Sequence, residues 1–78
     1  MKCAIYYVNE YKNNGIDNEE KTLECKTLGI ARNYLNSLSY LTKDKFKIKK
    51  GNSISYFEIR YKETEVGYDT TNERWYIK

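Results

Sequence analysis

One stretch of this chain carries the spacing of an amphipathic helix. Leu28, Ala31, Leu35, Leu38 and then Leu41 or Thr42 recur at three- and four-residue intervals, with Tyr34 beside them. Thr27 stands where an N-cap belongs. The spacing predicts a helix that begins behind Thr27 and ends near Leu41–Lys43. Gly29 lies close enough to its start to be tolerated. A lone helix has no second helix against which to bury its apolar stripe. It must lie on a sheet, and the rest of the chain has to supply that sheet.

The flanking segments alternate with the period of strands. Lys2–Tyr11 is rich in Tyr, Ile and Val, with Cys3, Ile5 and Tyr7 on one face and Ala4, Tyr6 and Val8 on the other. Asn13, Asn14 and Gly15 form a turn signal, with Gly15 able to take positive φ. Glu20–Thr27 reads as the return strand. With the turn centred on Asn14, paired residue numbers sum to 28, so Ile5 faces Leu23 and Cys3 faces Cys25. Ile16–Glu19 reads equally well as loop.

Beyond the helix, Lys45–Lys50 reads as a strand with Phe46 and Ile48 on one face and lysines on the other. Gly51-Asn52 turns it into Ser53–Lys62. That segment changes phase: Ile54 and Tyr56 alternate together, then Phe57, Ile59 and Tyr61. A β-bulge near Tyr56–Phe57 would account for the switch; so would one of the two sets lying at the surface. Glu63–Thr71 reads as a loop and Glu73–Ile77 as a last strand carrying Trp75 and Ile77. The expectation is one domain over residues 1–78, α+β, with a single helix packed on a mostly antiparallel sheet in the order ββαβββ. Nine Tyr, one Trp and two Phe are available to fill the core of so short a chain.

Composition removes several function classes. The chain has no His, the side chain best suited to proton transfer at neutral pH and the commonest metal ligand. Two Cys without His cannot complete a zinc site or a Cys–His nucleophile. Glu19, Glu20 and Glu24 lie in a polar stretch, as do Glu63, Glu65 and Asp69, so both acid clusters read as solvated. The four glycines are isolated and form no phosphate-binding motif. No enzyme, cofactor or metal is expected. The apolar run Cys3–Val8 is too short for a signal peptide or membrane span, which makes the cytoplasm the expected location. For Cys3 and Cys25 two readings stand open. One is a cross-strand disulfide; the other, favoured by a reducing compartment, is a pair of buried thiols acting as small hydrophobes.

Charge is the strongest surface signal. The net +3 divides into −2 over residues 1–25, +6 over 26–50 and −1 over 51–78. On a strand, Lys43, Lys45, Lys47 and Lys49 would project from one face about 6.7 Å apart, with Lys50 beside them. Such a row could follow a polyanion, dock an acidic protein, or simply be the wet face and guard of an edge strand. Tyr6, Tyr40, Tyr56, Tyr68 and Tyr76 all fall off the expected core face. Tyrosine is favoured at protein interfaces, although strand propensity also enriches it. The partner-binding candidates are therefore Lys43, Lys45, Lys47, Lys49, Lys50, Tyr56, Tyr68 and Tyr76, with the loop Glu63–Thr71.

The chain is rich in Lys, Asn, Ile and Tyr. Segments such as Ala31-Arg32-Asn33-Tyr34-Leu35-Asn36-Ser37-Leu38 and Arg74-Trp75-Tyr76-Ile77-Lys78 complete that style. In size and style it resembles the short accessory proteins of phages and mobile elements of AT-rich Gram-positive bacteria, anti-CRISPR proteins among them. The resemblance implies a stoichiometric, non-enzymatic inhibitor or modulator of a host protein or ribonucleoprotein complex. The basic middle departs from the acidic DNA mimics within that group. A small nucleic-acid-binding regulator using the lysine-rich strand is the alternative expectation. A homodimer through a sheet edge is a further option.

Overall fold

The computed structural model describes residues 2–11, 15–43, 53–61 and 69–78, without the side chains of residues 17 and 69–72. Five strands and one helix follow one another as β1 (Cys3–Tyr11), β2 (Gly15–Cys25), α1 (Leu28–Asn36), β3 (Leu41–Lys43), β4 (Ser53–Tyr61) and β5 (Asp69–Ile77). The strands form one sheet in the order β2-β1-β4-β5-β3, and every described pairing is antiparallel. The helix packs on one face of it, as an α+β domain requires.

The first hairpin follows from turn chemistry and alternation acting together. Gly15 takes φ of 71°, a conformation that costs glycine little. Cys3 pairs with Cys25 and Ile5 with Leu23. Register shifts at Ile5/Tyr6 and Asn9/Glu10 then let β2 run on through Ile16–Glu19, which is strand and not loop.

Thr27 caps the helix: its hydroxyl accepts the Ile30 backbone N–H at 3.2 Å. Ala31 and Leu35 are fully buried against the sheet, with Leu28 and Leu38 packed at the margin. The helix ends at Asn36, earlier than its apolar spacing suggests. The Ser37 hydroxyl donates to the Tyr34 carbonyl at 2.6 Å, and the Leu38 and Leu41 N–H groups make three-residue turns back to Leu35 and Leu38. Serine bonding to local backbone competes with helix continuation. Leu41 keeps its inward position as the first residue of β3, opposite Ile77. The third strand is therefore Leu41–Lys43. The expected strand Lys45–Lys50 lies outside the described residues, as do Gly51-Asn52 and most of Glu63–Thr71. Asp69–Thr71 belongs to β5.

Two changes in this first turn of α1 should act in opposite directions. Thr27→Ala removes the cap and is expected to cost about 1 kcal/mol. At Gly29 an added methyl would meet only the Thr27 side chain, at 3.9 Å. Gly29→Ala should therefore raise stability by about 0.5 kcal/mol. Urea titration of both variants checks the pair.

β4 is central and buried on both sides. Its pairing with β1 runs unbroken from Ser53 to Tyr61, so no bulge lies at Tyr56–Phe57. The change of phase arises because two cores share this strand. Phe57, Ile59 and Tyr61 join Cys3, Ile5, Cys25, Leu35, Leu41 and Trp75 beneath the helix. Ile54 and Tyr56 join Val8, Tyr76 and Tyr6 on the opposite face. The β4–β5 irregularity falls between Glu58 and Arg60.

Candidate functional site

The face opposite the helix is the place where surface tyrosines were expected, and here the structure corrects that reading. Tyr56 and Tyr76 are only 2% and 5% exposed. Their rings tilt together with centroids 5.7 Å apart. The Tyr56 hydroxyl donates to the Glu10 carboxylate. Burial, with that carboxylate's charge beside it, pushes Tyr56 ionisation well above the ordinary tyrosine range. Tyr6 is half-buried beneath the Arg60 guanidinium, whose carbon stands 4.3 Å from the ring centroid, while Arg74 sits 4.8 Å from that of Tyr56.

A carboxylate that the sequence did not flag ties this face together. Glu58, 3% exposed, accepts from Arg60 Nε at 2.8 Å and from Arg74 Nε at 3.1 Å. Arg60 also makes a forked contact with Glu19 on β2. That contact holds the Glu19 carboxyl below its usual range. Alternation along β4 could have signalled the arrangement, since Tyr56, Glu58 and Arg60 share one face. The result is a lattice whose cations are already matched by carboxylates. A polyanion would have to displace Glu19 and Glu58 before using either guanidinium.

Lys43, the one lysine of the candidate row among the described residues, is similarly engaged. Its ammonium lies 3.7 Å from Glu73 and 5.3 Å from the centre of the Trp75 ring. Arg32 of the helix grips the same Glu73 through two nitrogens, and the arginine holds the Glu73 carboxyl below its usual range. Lys45, Lys47, Lys49, Lys50 and Tyr68 lie outside the described residues.

These shifts set the pH response. Glu19 and Glu73 bind protons less readily when folded. Their contribution is full above the unfolded carboxylate pKa of about 4.3 and is lost as pH falls through the lower folded values. Tyr56 works in the other sense. Its contribution is full below about pH 10 and is lost as pH rises toward its higher folded value. Stability is therefore expected to fall at both extremes. Tyr56→Phe should flatten the alkaline limb and leave the acid limb unchanged, as read from thermal midpoints across pH.

The free chemistry of the described surface lies elsewhere, along β2. This strand is 11 residues long and ends the sheet, so one of its edges has no described strand beside it. Arg32 and Asn36 point the opposite flank of α1 toward β5, through Glu73 and through a 2.7 Å bond from the Trp75 indole N–H. Ile30 and Tyr34 consequently occupy the flank facing β1 and β2. There they share the helix side with Leu23, the partner of Ile5. Leu23, Ile30 and Tyr34 are 39%, 50% and 40% exposed. All three are exposed apolar side chains, and the outer edge of β2 has no strand beside it among the described residues. Residues 15–25 carry Asp17, Glu19, Glu20 and Glu24 against one Lys21, with Glu19 held by Arg60 and Glu24 by Lys21.

Among the described residues no cluster of three or more His, Cys, Asp or Glu could hold a metal, and no helix is long and apolar enough to cross a membrane. The chain matches no family model, no curated protein and no solved structure.

Proposed function

We propose that this chain is a non-enzymatic binding protein that adds a basic, extended segment of a protein or ribonucleoprotein partner to the free edge of β2. Strand addition supplies affinity through main-chain hydrogen bonds, and side-chain contacts alongside supply specificity. What carries the reading is the 11-residue β2, which has no strand on its outer edge among the described residues, together with the exposed Leu23, Ile30 and Tyr34. The acidic balance of β2 selects a basic segment and opposes a second copy, because two β2 edges would bring like charges together. A stoichiometric modulator of a host complex, as the likeness to phage and mobile-element accessory proteins implies, would work in this way. Nucleic acid is the weaker alternative, since the described arginines of the sheet and Lys43 are already paired with carboxylates.

The test is affinity capture from a bacterial lysate with and without nuclease, repeated with Leu23→Lys and Tyr34→Lys. Both positions are exposed, so the fold should persist while the added charge repels a basic strand. The reading expects a protein partner that survives nuclease and is lost from both variants. Release by nuclease, or undiminished capture by both variants, contradicts it.

A further inference from the structure

We propose that Cys3 and Cys25 are a redox dithiol that closes into a cross-strand disulfide on meeting a small, carboxylate-bearing disulfide. Both thiols are free, each residue is 6% exposed, and the two are direct partners in the β1–β2 ladder. Directly opposed residues of an antiparallel pair have Cα atoms about 4.5–5.5 Å apart, inside the roughly 4.4–6.8 Å window that a disulfide accepts. The pairing therefore puts the two Cα atoms within the separation that the bond accepts.

The surroundings supply access and a reagent class. The two cysteines help line a cleft of about 770 Å³ at the end of the sheet. Lys2 and Lys26 line it as well, together with Lys21, which is paired to Glu24, and Arg60, which is held by Glu19 and Glu58. The charge left over at the cleft is that of Lys2 and Lys26, and it favours a negatively charged reagent. The Cys3 thiol donates to the Thr27 carbonyl at 3.4 Å. Burial and the neighbouring Cys25 push its ionisation upward, so exchange should be slow at neutral pH and quicken as pH rises.

The chemistry balances with the reagent as oxidant. One protein thiolate attacks a reagent sulfur, forms a mixed disulfide and expels one reagent thiolate. The second protein thiolate attacks the protein sulfur of that mixed disulfide and expels the other. Two protein S–H bonds and one reagent S–S bond are exchanged for one protein S–S bond and two reagent S–H bonds. The two electrons lost by the protein reduce the reagent. The product ties the edge strand β2 to β1 at the point where the chain leaves for the helix. It is independent of the partner-binding reading.

The test equilibrates the full chain with defined mixtures of reduced and oxidised glutathione, once folded and once unfolded in urea. Acid quenching and mass spectrometry then give the oxidised fraction. A native geometry that favours the bond raises the effective concentration of one thiol toward the other, on the order of 100-fold over the unfolded chain. A ratio of tenfold or more supports the proposal. A smaller ratio, or oxidation found only in urea, overturns it. Cys25→Ser should stop at the mixed disulfide on Cys3, which separates the intramolecular bond from simple capping.

Discussion

Trp75→Ala is expected to cost about 4 kcal/mol and to leave the chain largely unfolded at 37 °C. Trp75 is 1% exposed and is among the largest fully buried side chains described. It touches three elements at once. Its ring packs in the core beneath the helix, its indole N–H donates to Asn36, and Lys43 of β3 covers its face. Truncating a buried Trp typically costs about 3–5 kcal/mol, because the lost transfer energy is joined by an unfilled cavity. A domain of this length has roughly 4–12 kcal/mol in total. Trp75→Phe keeps most of the volume and loses the hydrogen bond, so about 2 kcal/mol is expected. Urea denaturation of both variants measures the pair. A loss below about 1 kcal/mol for Trp75→Ala would show that the helix is not anchored through this residue.

Glu58→Ala should have the next largest effect, and its origin is electrostatic. The carboxylate is buried between two guanidinium groups. Removing one member of a buried ionic group typically costs about 3–5 kcal/mol, because the partners keep their desolvation cost without compensation. The Arg60 and Arg74 side chains remain 23% and 34% exposed, so water recovers part of it. The expected loss is therefore about 2–3 kcal/mol. Replacing the whole group as Glu58→Leu, Arg60→Met and Arg74→Met should recover part of that loss, since an apolar set of similar volume has no such penalty, although Glu19 then loses Arg60. Equal losses in the single and triple variants, read from thermal and urea unfolding, would mean that packing alone governs this face.

The parts of this fold legible in the sequence are those where two local signals coincide. At the first hairpin, the alternation of Cys3 and Ile5 against Leu23 and Cys25 specifies a register that the structure has at that end, while two shifts nearer the Gly15 turn change it by one residue each. Thr27 marks the helix start because a side-chain acceptor there satisfies an otherwise unpaired N–H. The helix end was not legible. Leu38 and Leu41 keep helical spacing while the chain between them turns and enters β3, so periodicity cannot distinguish a continued helix from a short turn into a strand.

The candidate site was read less well, for a physical reason. A strand with one buried face alternates cleanly, but β4 is buried on both faces, and its pattern looks like a phase error. Tyrosine adds to the ambiguity. Tyr56 and Tyr76 carry an apolar ring and a polar tip, so their positions looked like surface and are core. Glu58 reads as a solvent residue until Arg60 and Arg74 are brought beside it from two strands. That β2 ends the described sheet depends on strand order, which no local pattern reveals. Leu23, half of the register signal, lies on the helix side opposite Ile5 and yet remains 39% exposed, which alternation alone does not reveal.

The most direct measurement is residue-resolved hydrogen–deuterium exchange of the chain, free and bound to its captured partner. Strand addition predicts that backbone amides within Gly15–Cys25 become strongly protected on binding, with side-chain contacts shifting at Leu23, Ile30 and Tyr34. Unchanged exchange along β2, with new protection confined to the Tyr6, Arg60 and Arg74 face or to the Lys43 end, would contradict the account.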